Sequence, residues 1–194
     1  MKNKIAHAAL AALMAAVIAV CAWITVPAAV PFTLQTFGVF LALMTLGGAG
    51  GSAAVLLYIL IGALGLPVFS GFRGGPGVII GPTGGYIIGF VFICGAYLAA
   101  EKLAGSAARN KKRRFPLFET AALAAGLILC YAAGTIQFAI VSRAGGNAPG
   151  ILSILSMCVF PFIIPDAVKL IAAAFTAQRI KAILPKISKT VDSH

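Results

Sequence analysis

Long apolar runs separated by short polar or Gly- and Pro-rich stretches make up almost the whole chain. A helix needs roughly 20 mostly apolar residues to cross a bilayer. On that measure the runs predict spans over about 5–26, 83–101, 117–142 and 165–184. Pro27–Thr36 (PAAVPFTLQT) is too polar and too interrupted by Pro to cross. Phe37–Leu46 is apolar but short, and it ends at GGAGG, Gly47–Gly51. It must borrow flanking residues such as Gln35 and Thr36 or be partly re-entrant. The pattern assigns it to a span over about 35–47, followed by one over 52–66. Ile151–Ile164 is apolar but broken by Pro161 and followed by Pro165, which predicts a short interfacial helix before the last span.

The expected fold is therefore all-α: one integral membrane domain, residues 1–194, with six transmembrane helices in one bundle and a Gly/Pro-rich outer loop between helices 3 and 4. Composition agrees, because a chain that is 61% hydrophobic and 10% charged has too much apolar surface for a soluble domain of this length. Five or six spans with short loops leave no room for a separate soluble domain. The first run follows Lys2 and Lys4 like a signal peptide, but no polar cleavage region precedes the next segment, so it is kept as a span.

The formal charge of +11 raises the question of nucleic acid, and its distribution argues against it. Lys2 and Lys4, the cluster Arg109, Lys111, Lys112, Arg113 and Arg114, and the group Arg179, Lys181, Lys186 and Lys189 all flank apolar runs. That is the pattern of cytoplasmic anchors, and no aromatic-basic interleaving accompanies it. With both termini inside and six crossings, every basic cluster falls on the cytoplasmic side. The loops holding Gln35, Arg73 and Arg143 then fall outside.

Two segments carry candidate chemistry. Phe69–Tyr86 (FSGFRGGPGVIIGPTGGY) places irregular, glycine-dense backbone beside the membrane. Such backbone is tolerated there only inside protein or against a water-filled cavity, and Gly lets it approach a ligand closely. Arg73 offers a guanidinium for a ligand carboxylate. The amides of Gly74, Gly75 and Gly77 would help if the turn forms a concave nest. No Gly-Lys-Ser/Thr follows, so this is not a phosphate loop. Pro76 and Pro82 argue against a dimer helix through the Gly77/Gly81 and Gly81/Gly85 spacings.

The second segment is Pro165-Asp166-Ala167-Val168-Lys169, an acid and a base three apart on one helix face. Ionisable groups inside a span are costly and point to function. The plainer reading makes Pro165 the first helical residue, Asp166 a partner for the helix dipole, and Lys169 a neutralising or snorkelling cation. A cap alone would not require the lysine. The pair suits a cyclic urea, whose N–H meets the carboxylate while the ammonium donates to its carbonyl. By the parity argument the pair lies at the outer end of the last span, level with the Gly-rich segment. Tyr86 and Trp23 are each compatible with the site or with the interfacial aromatic belt, and Gln35, Thr33 and Thr36 in the first outer loop could close over a ligand.

Along the first span Ala8, Ala12, Ala16 and Ala19 recur at helical spacing, with Ala9 and Ala15 beside them. Such a face permits close docking of another membrane helix, or packing within its own bundle. Cys21, Cys94, Cys130 and Cys158 read as small buried hydrophobes without a metal set. His7 and His194 lie near the chain ends. No hydrolase, metalloprotease or nucleotide-binding motif is present, which speaks against an enzyme and against ATP-driven transport by this chain alone.

PFTLQTFGVF, LGLPVFSGFRGGPGVIIGPTGGY and FIIPDAVK, in that order, resemble the BioY family, the biotin-specific S components of energy-coupling-factor (ECF) transporters. The resemblance covers essentially the whole chain. It implies a six-helix plasma-membrane protein that captures biotin at the outer face, needs no cofactor, and docks on a transmembrane coupling subunit with a pair of ABC ATPases. It further implies that Asp166 and Lys169 contact the ureido ring and that Ala8, Ala12 and Ala16 lie on the coupling surface. An S component for another vitamin or a biotin precursor is the nearest alternative. A self-sufficient secondary transporter would be favoured by inverted repeats, and a membrane enzyme would need a nucleophile-base set. Neither feature is found.

Overall fold

The computed structural model describes residues 2–28, 30–109, 115–146 and 149–191. The order of elements is α1 (Lys2–Trp23), β1 (Thr25–Val26), β2 (Phe32–Thr33), α2 (Gln35–Ala63), α3 (Pro76–Ile80), α4 (Gly84–Arg109), α5 (Phe115–Ala144), α6 (Ile151–Cys158) and α7 (Phe160–Val191). Among the described residues, five helical segments are long and apolar enough to cross a membrane: Ile5–Trp23, Gln35–Ala63, Gly84–Ala104, Leu117–Ala144 and Ile151–Ala182. Lys111, Lys112, Arg113 and Arg114 of the predicted basic loop, and His194, lie outside the described residues.

The structure departs from the sequence pattern at four places. The first helix stops at Trp23, short of 26, because Thr25–Val26 pairs antiparallel with Phe32–Thr33. Three β-branched residues running into Pro27 favour extended backbone over another helical turn. The all-α chain thus carries one small two-stranded ribbon.

Second, the expected spans 35–47 and 52–66 are one assigned helix, α2, broken inside at Gly47 (φ 76°, ψ 176°). The GGAGG stretch is therefore not a loop: Gly47 alone makes the break, in a backbone region essentially reserved for Gly. The two halves fold back on each other. A Cβ at Gly51 would sit 2.5 Å from the Leu43 Cα, and Gln35 Nε2 reaches the Tyr58 hydroxyl at 2.7 Å. The Glu101 carboxylate of α4 accepts the Gly48 N–H at 3.0 Å on both oxygens, capping the second half of the hairpin.

Third, the Gly-rich segment is more regular than its composition implies. Residues 76–80 form α3, with Pro76 in the first turn where its missing N–H costs nothing. Before it, Phe69 and Arg73 form an isolated bridge, and the Gly75 N–H donates to the Gly62 carbonyl at 2.7 Å.

Fourth, the last helix begins at Phe160 and passes through Pro165, so it is not initiated there. Pro165 lacks the N–H that would pair with the Pro161 carbonyl, a single lost bond within two turns of the helix start. Helices α4 and α5 also outrun their predicted ends at 101 and 142.

The core centres on α2, the most enclosed of the five segments. Val39, Phe40, Ala42, Leu43, Val55 and Tyr58 are buried there. Small residues bring the neighbours in. Ala11, Ala15, Ile18 and Ala22 of α1 are buried, and a Cβ at Gly38 would stand 3.0 Å from the Ile18 Cα. Gly126 of α5 faces Ile93 of α4 in the same way. Close approach through small residues is how membrane helices associate where no hydrophobic drive acts between them. Ala8, Ala12 and Ala16 are exposed on the face of α1 that adjoins its buried seam.

Candidate ligand-binding site

Where the start of α2, the β1–β2 loop, α4, α5 and α7 converge, the bundle holds a cleft of two adjoining chambers, largely apolar in surface with a few polar groups among its lining. The first, about 60 Å³, is lined among others by Thr36, Tyr131, Asp166, Lys169, Phe90 and Phe162. The second, about 50 Å³, holds Phe69, Ser70, Arg73, Val78, Thr83 and Ile87. Val30, Pro31, Thr33, Gln35 and Tyr86 belong to both and form the wall between them.

Asp166 and Lys169 anchor the first chamber, at 2% and 6% exposure, so neither snorkels. Asp166 lies more than a turn inside α7, whose first turn contains no acid, so it does not cap the helix. Its Oδ1 accepts from Lys169 Nζ at 2.8 Å and from the Thr36 hydroxyl at 2.8 Å. Its Oδ2 accepts from the Tyr131 hydroxyl at 2.5 Å. Lys169 donates a second bond to the Thr33 carbonyl at 2.6 Å and stands 4.1 Å from the centre of the Phe32 ring. Two charges held out of solvent are tolerated only when they are paired and otherwise hydrogen-bonded, and here both conditions hold.

An ammonium has three donors and a carboxylate about four acceptor positions. One N–H of Lys169 and one lone pair on Asp166 Oδ2 are therefore open to a guest. The chamber can accept one hydrogen bond and donate another, side by side, against the aromatic walls of Phe90 and Phe162.

The other site candidates fall at different distances from this centre. Tyr86 lies in the shared wall and donates to the Cys158 carbonyl at 3.2 Å, tying α4 to α6. Gln35 is also in the wall, its amide nitrogen committed to Tyr58. Arg73 lines the second chamber, exposed, with Nε on the Ser70 carbonyl at 3.2 Å. Gly74, Gly75 and Gly77 line neither chamber. Gly74 packs its backbone on Leu66, where any Cβ would collide with the carbonyl, and the Gly75 amide is already bonded to Gly62. Trp23 points away, donating to the Pro67 carbonyl at 2.9 Å and stacking on Phe72. The α1 alanines are remote from the cleft.

Sequence reasoning did not single out Tyr131, Phe90 or Phe162. Tyr131 sits in an apolar run without polar neighbours. Its one signal is a hydroxyl in the middle of a membrane helix, which needs a partner when buried. Behind it, α5, α6 and α7 leave an apolar recess of about 590 Å³, and Leu127 and Tyr131 line both that recess and the first chamber.

Comparison with known proteins locates this architecture. The model of the BioY family matches residues 1–186. The chain is 40% identical over 175 residues to the biotin transporter BioY of Thermotoga maritima, covering 88% of this chain and 93% of that one. It is 40% identical over 179 residues to a probable biotin transporter BioY of Pyrococcus horikoshii, covering 92% and 98%. The crystal structure of the S-component for biotin from an ECF-type ABC transporter superposes with a TM-score of 0.77 at 26% identity, covering 93% of each chain.

Proposed function

Because this chain belongs to the BioY family, we propose that this two-chambered cleft is the site at which it binds biotin as the S component of an ECF transporter. The chain is a multi-pass, all-helical membrane protein and a transporter subunit for biotin import, not an enzyme. The observation that carries the site reading is the buried Asp166–Lys169 pair, with one acceptor and one donor left unused.

A cyclic urea satisfies both at once. Its N–H donates to Asp166 Oδ2, and its carbonyl accepts from Lys169 Nζ. The valerate chain then runs past Tyr86 and Gln35 into the second chamber, where Arg73 meets the carboxylate. The two chambers are small beside the 300–1,000 Å³ typical of ligand pockets. Entry of biotin therefore requires the β1–β2 loop in the shared wall to move outward.

The membrane arrangement follows the same reading. The two halves of α2 count as separate passes, which gives six crossings in a single domain over 1–194. Both termini face the cytoplasm, and the cleft with its Gly-rich rim faces outward. The exposed alanines Ala8, Ala12 and Ala16 form the docking face for the transmembrane coupling subunit, through which a pair of ABC ATPases drives release. Calorimetric titration of the detergent-solubilised protein with biotin, with thiamine and riboflavin as controls, tests the substrate. Selective, near-stoichiometric biotin binding is expected; folded protein that ignores biotin would refute the reading.

A further inference from the structure

The carboxylate of Asp166 is shared among three donors, and we propose that Tyr131 is the positioning residue that determines how it meets the ligand. This inference rests on the ureido reading above. Thr36 and Lys169 both donate to Oδ1, and Tyr131 alone donates to Oδ2. With about two acceptor positions per oxygen, Oδ1 is filled and Oδ2 keeps one. Tyr131 therefore sets both the number and the direction of the acceptors offered to a ring N–H. It reads no ligand atom itself.

Its position gives the hydroxyl this hold. Tyr131 extends from α5 while Asp166 and Lys169 share α7, so this bond ties Oδ2 to α5 as the Thr36 bond ties Oδ1 to α2, and the two together fix the carboxylate plane. Lys169 and Thr36 alone would leave Oδ2 without a protein donor. The ring is also part of the wall between the chamber and the apolar recess behind it. The informative variant is accordingly Tyr131→Phe, which keeps the wall and removes one oxygen.

The test compares biotin with its two ureido N-methyl forms, in wild type and Y131F, by titration calorimetry. Thermal unfolding of the variant confirms that it is folded. In wild type, one N-methyl regioisomer should bind at least about 10-fold more weakly than biotin, because its N–H faces the single open acceptor. The bond from the ring N–H to the carboxylate is worth roughly 10- to 100-fold, so Y131F, by releasing the aim of that acceptor, should weaken biotin by more than about threefold and by no more than that range. The weak N-methyl form should change by less than about threefold, so that discrimination narrows. A merely structural role would lower all three ligands alike. Equal losses, unchanged biotin affinity in Y131F, or indifference of wild type to both N-methyl groups would overturn the proposal. D166N separates the two levels: loss of biotin binding in D166N with an unaffected Y131F defeats only the role of Tyr131. Full binding in D166N defeats the ureido reading beneath it.

Discussion

Lys169 Nζ donates to the carbonyl of Thr33 at 2.6 Å, a bond from the cation of the site to the ribbon that walls it. Thr33 also belongs to the wall between the two chambers. The ammonium thus holds the loop on one side and the carboxylate on the other, and a guest taking its third proton joins an existing bridge. On the proposed reading, the anchoring of the ribbon and the recognition of the ring meet at one nitrogen.

Breaking the buried pair from one side should cost more than removing it whole. Lys169→Met leaves a carboxylate unbalanced among buried groups, a loss of about 3–5 kcal/mol. The double variant Asp166→Leu/Lys169→Met should recover most of that stability while binding no biotin. Thermal unfolding in detergent with parallel titrations checks both. A double variant no more stable than the singles would contradict the pair's electrostatic origin.

How far the site was legible in sequence follows the same physics. Asp166 and Lys169 stood out because a charge in an apolar run is expensive enough to be rare. Thr36 stands in the outer stretch that the sequence places beside the site, whereas Tyr131 binds the same carboxylate from the middle of an apolar run; a hydroxyl there is cheap and common, and nothing in the sequence separates a site hydroxyl from an idle one. The helix around the pair misread for a related reason. Pro165 reads as a start signal, yet a helix tolerates Pro within its first turns, and α7 begins before it. The hairpin in α2 was half legible. Glycine density marked the break, while the single residue that makes it, Gly47, is visible only through its dihedral angles.

Arg73 is exposed, so its contribution should be modest and specific to the ligand's acid. Arg73→Ala should weaken biotin by about 3- to 10-fold, the range left to a charge-assisted bond after solvent screening. Biotin methyl ester, which carries no carboxylate charge, should bind both proteins with nearly equal affinity. Equal losses for acid and ester would remove Arg73 from carboxylate recognition.

Two glycine substitutions should separate backbone need from mere composition. Gly47→Ala places a Cβ in a region that costs about 1–3 kcal/mol for residues other than Gly, and should lower the thermal midpoint accordingly. Gly77→Ala meets nothing within 4 Å and lies in α3, where Ala is the better helix former. It should leave stability within about 0.5 kcal/mol and biotin affinity unchanged. A biotin-binding defect in Gly77→Ala would put the α3 backbone into the site.

Ala8, Ala12 and Ala16 are exposed on α1 and distant from the cleft. Leucine at these three positions should leave biotin affinity within about twofold, while blocking the close helix approach that small residues permit. Uptake in vesicles containing the ECF module should then fall by about tenfold or more, measured with labelled biotin. Uptake at the wild-type rate would move the coupling face elsewhere.

The clamp of Glu101 on Gly48 pins the tip of the α2 hairpin to α4. Gln35 begins one arm of that hairpin and lines the cleft, and it bonds to Tyr58 of the other arm, which runs on to Ala63. From tip to cleft is about 18 Å of helix at 1.5 Å per residue. The carboxylate that holds the tip and the polar groups that line the cleft thus sit at the two ends of one buried helical arm.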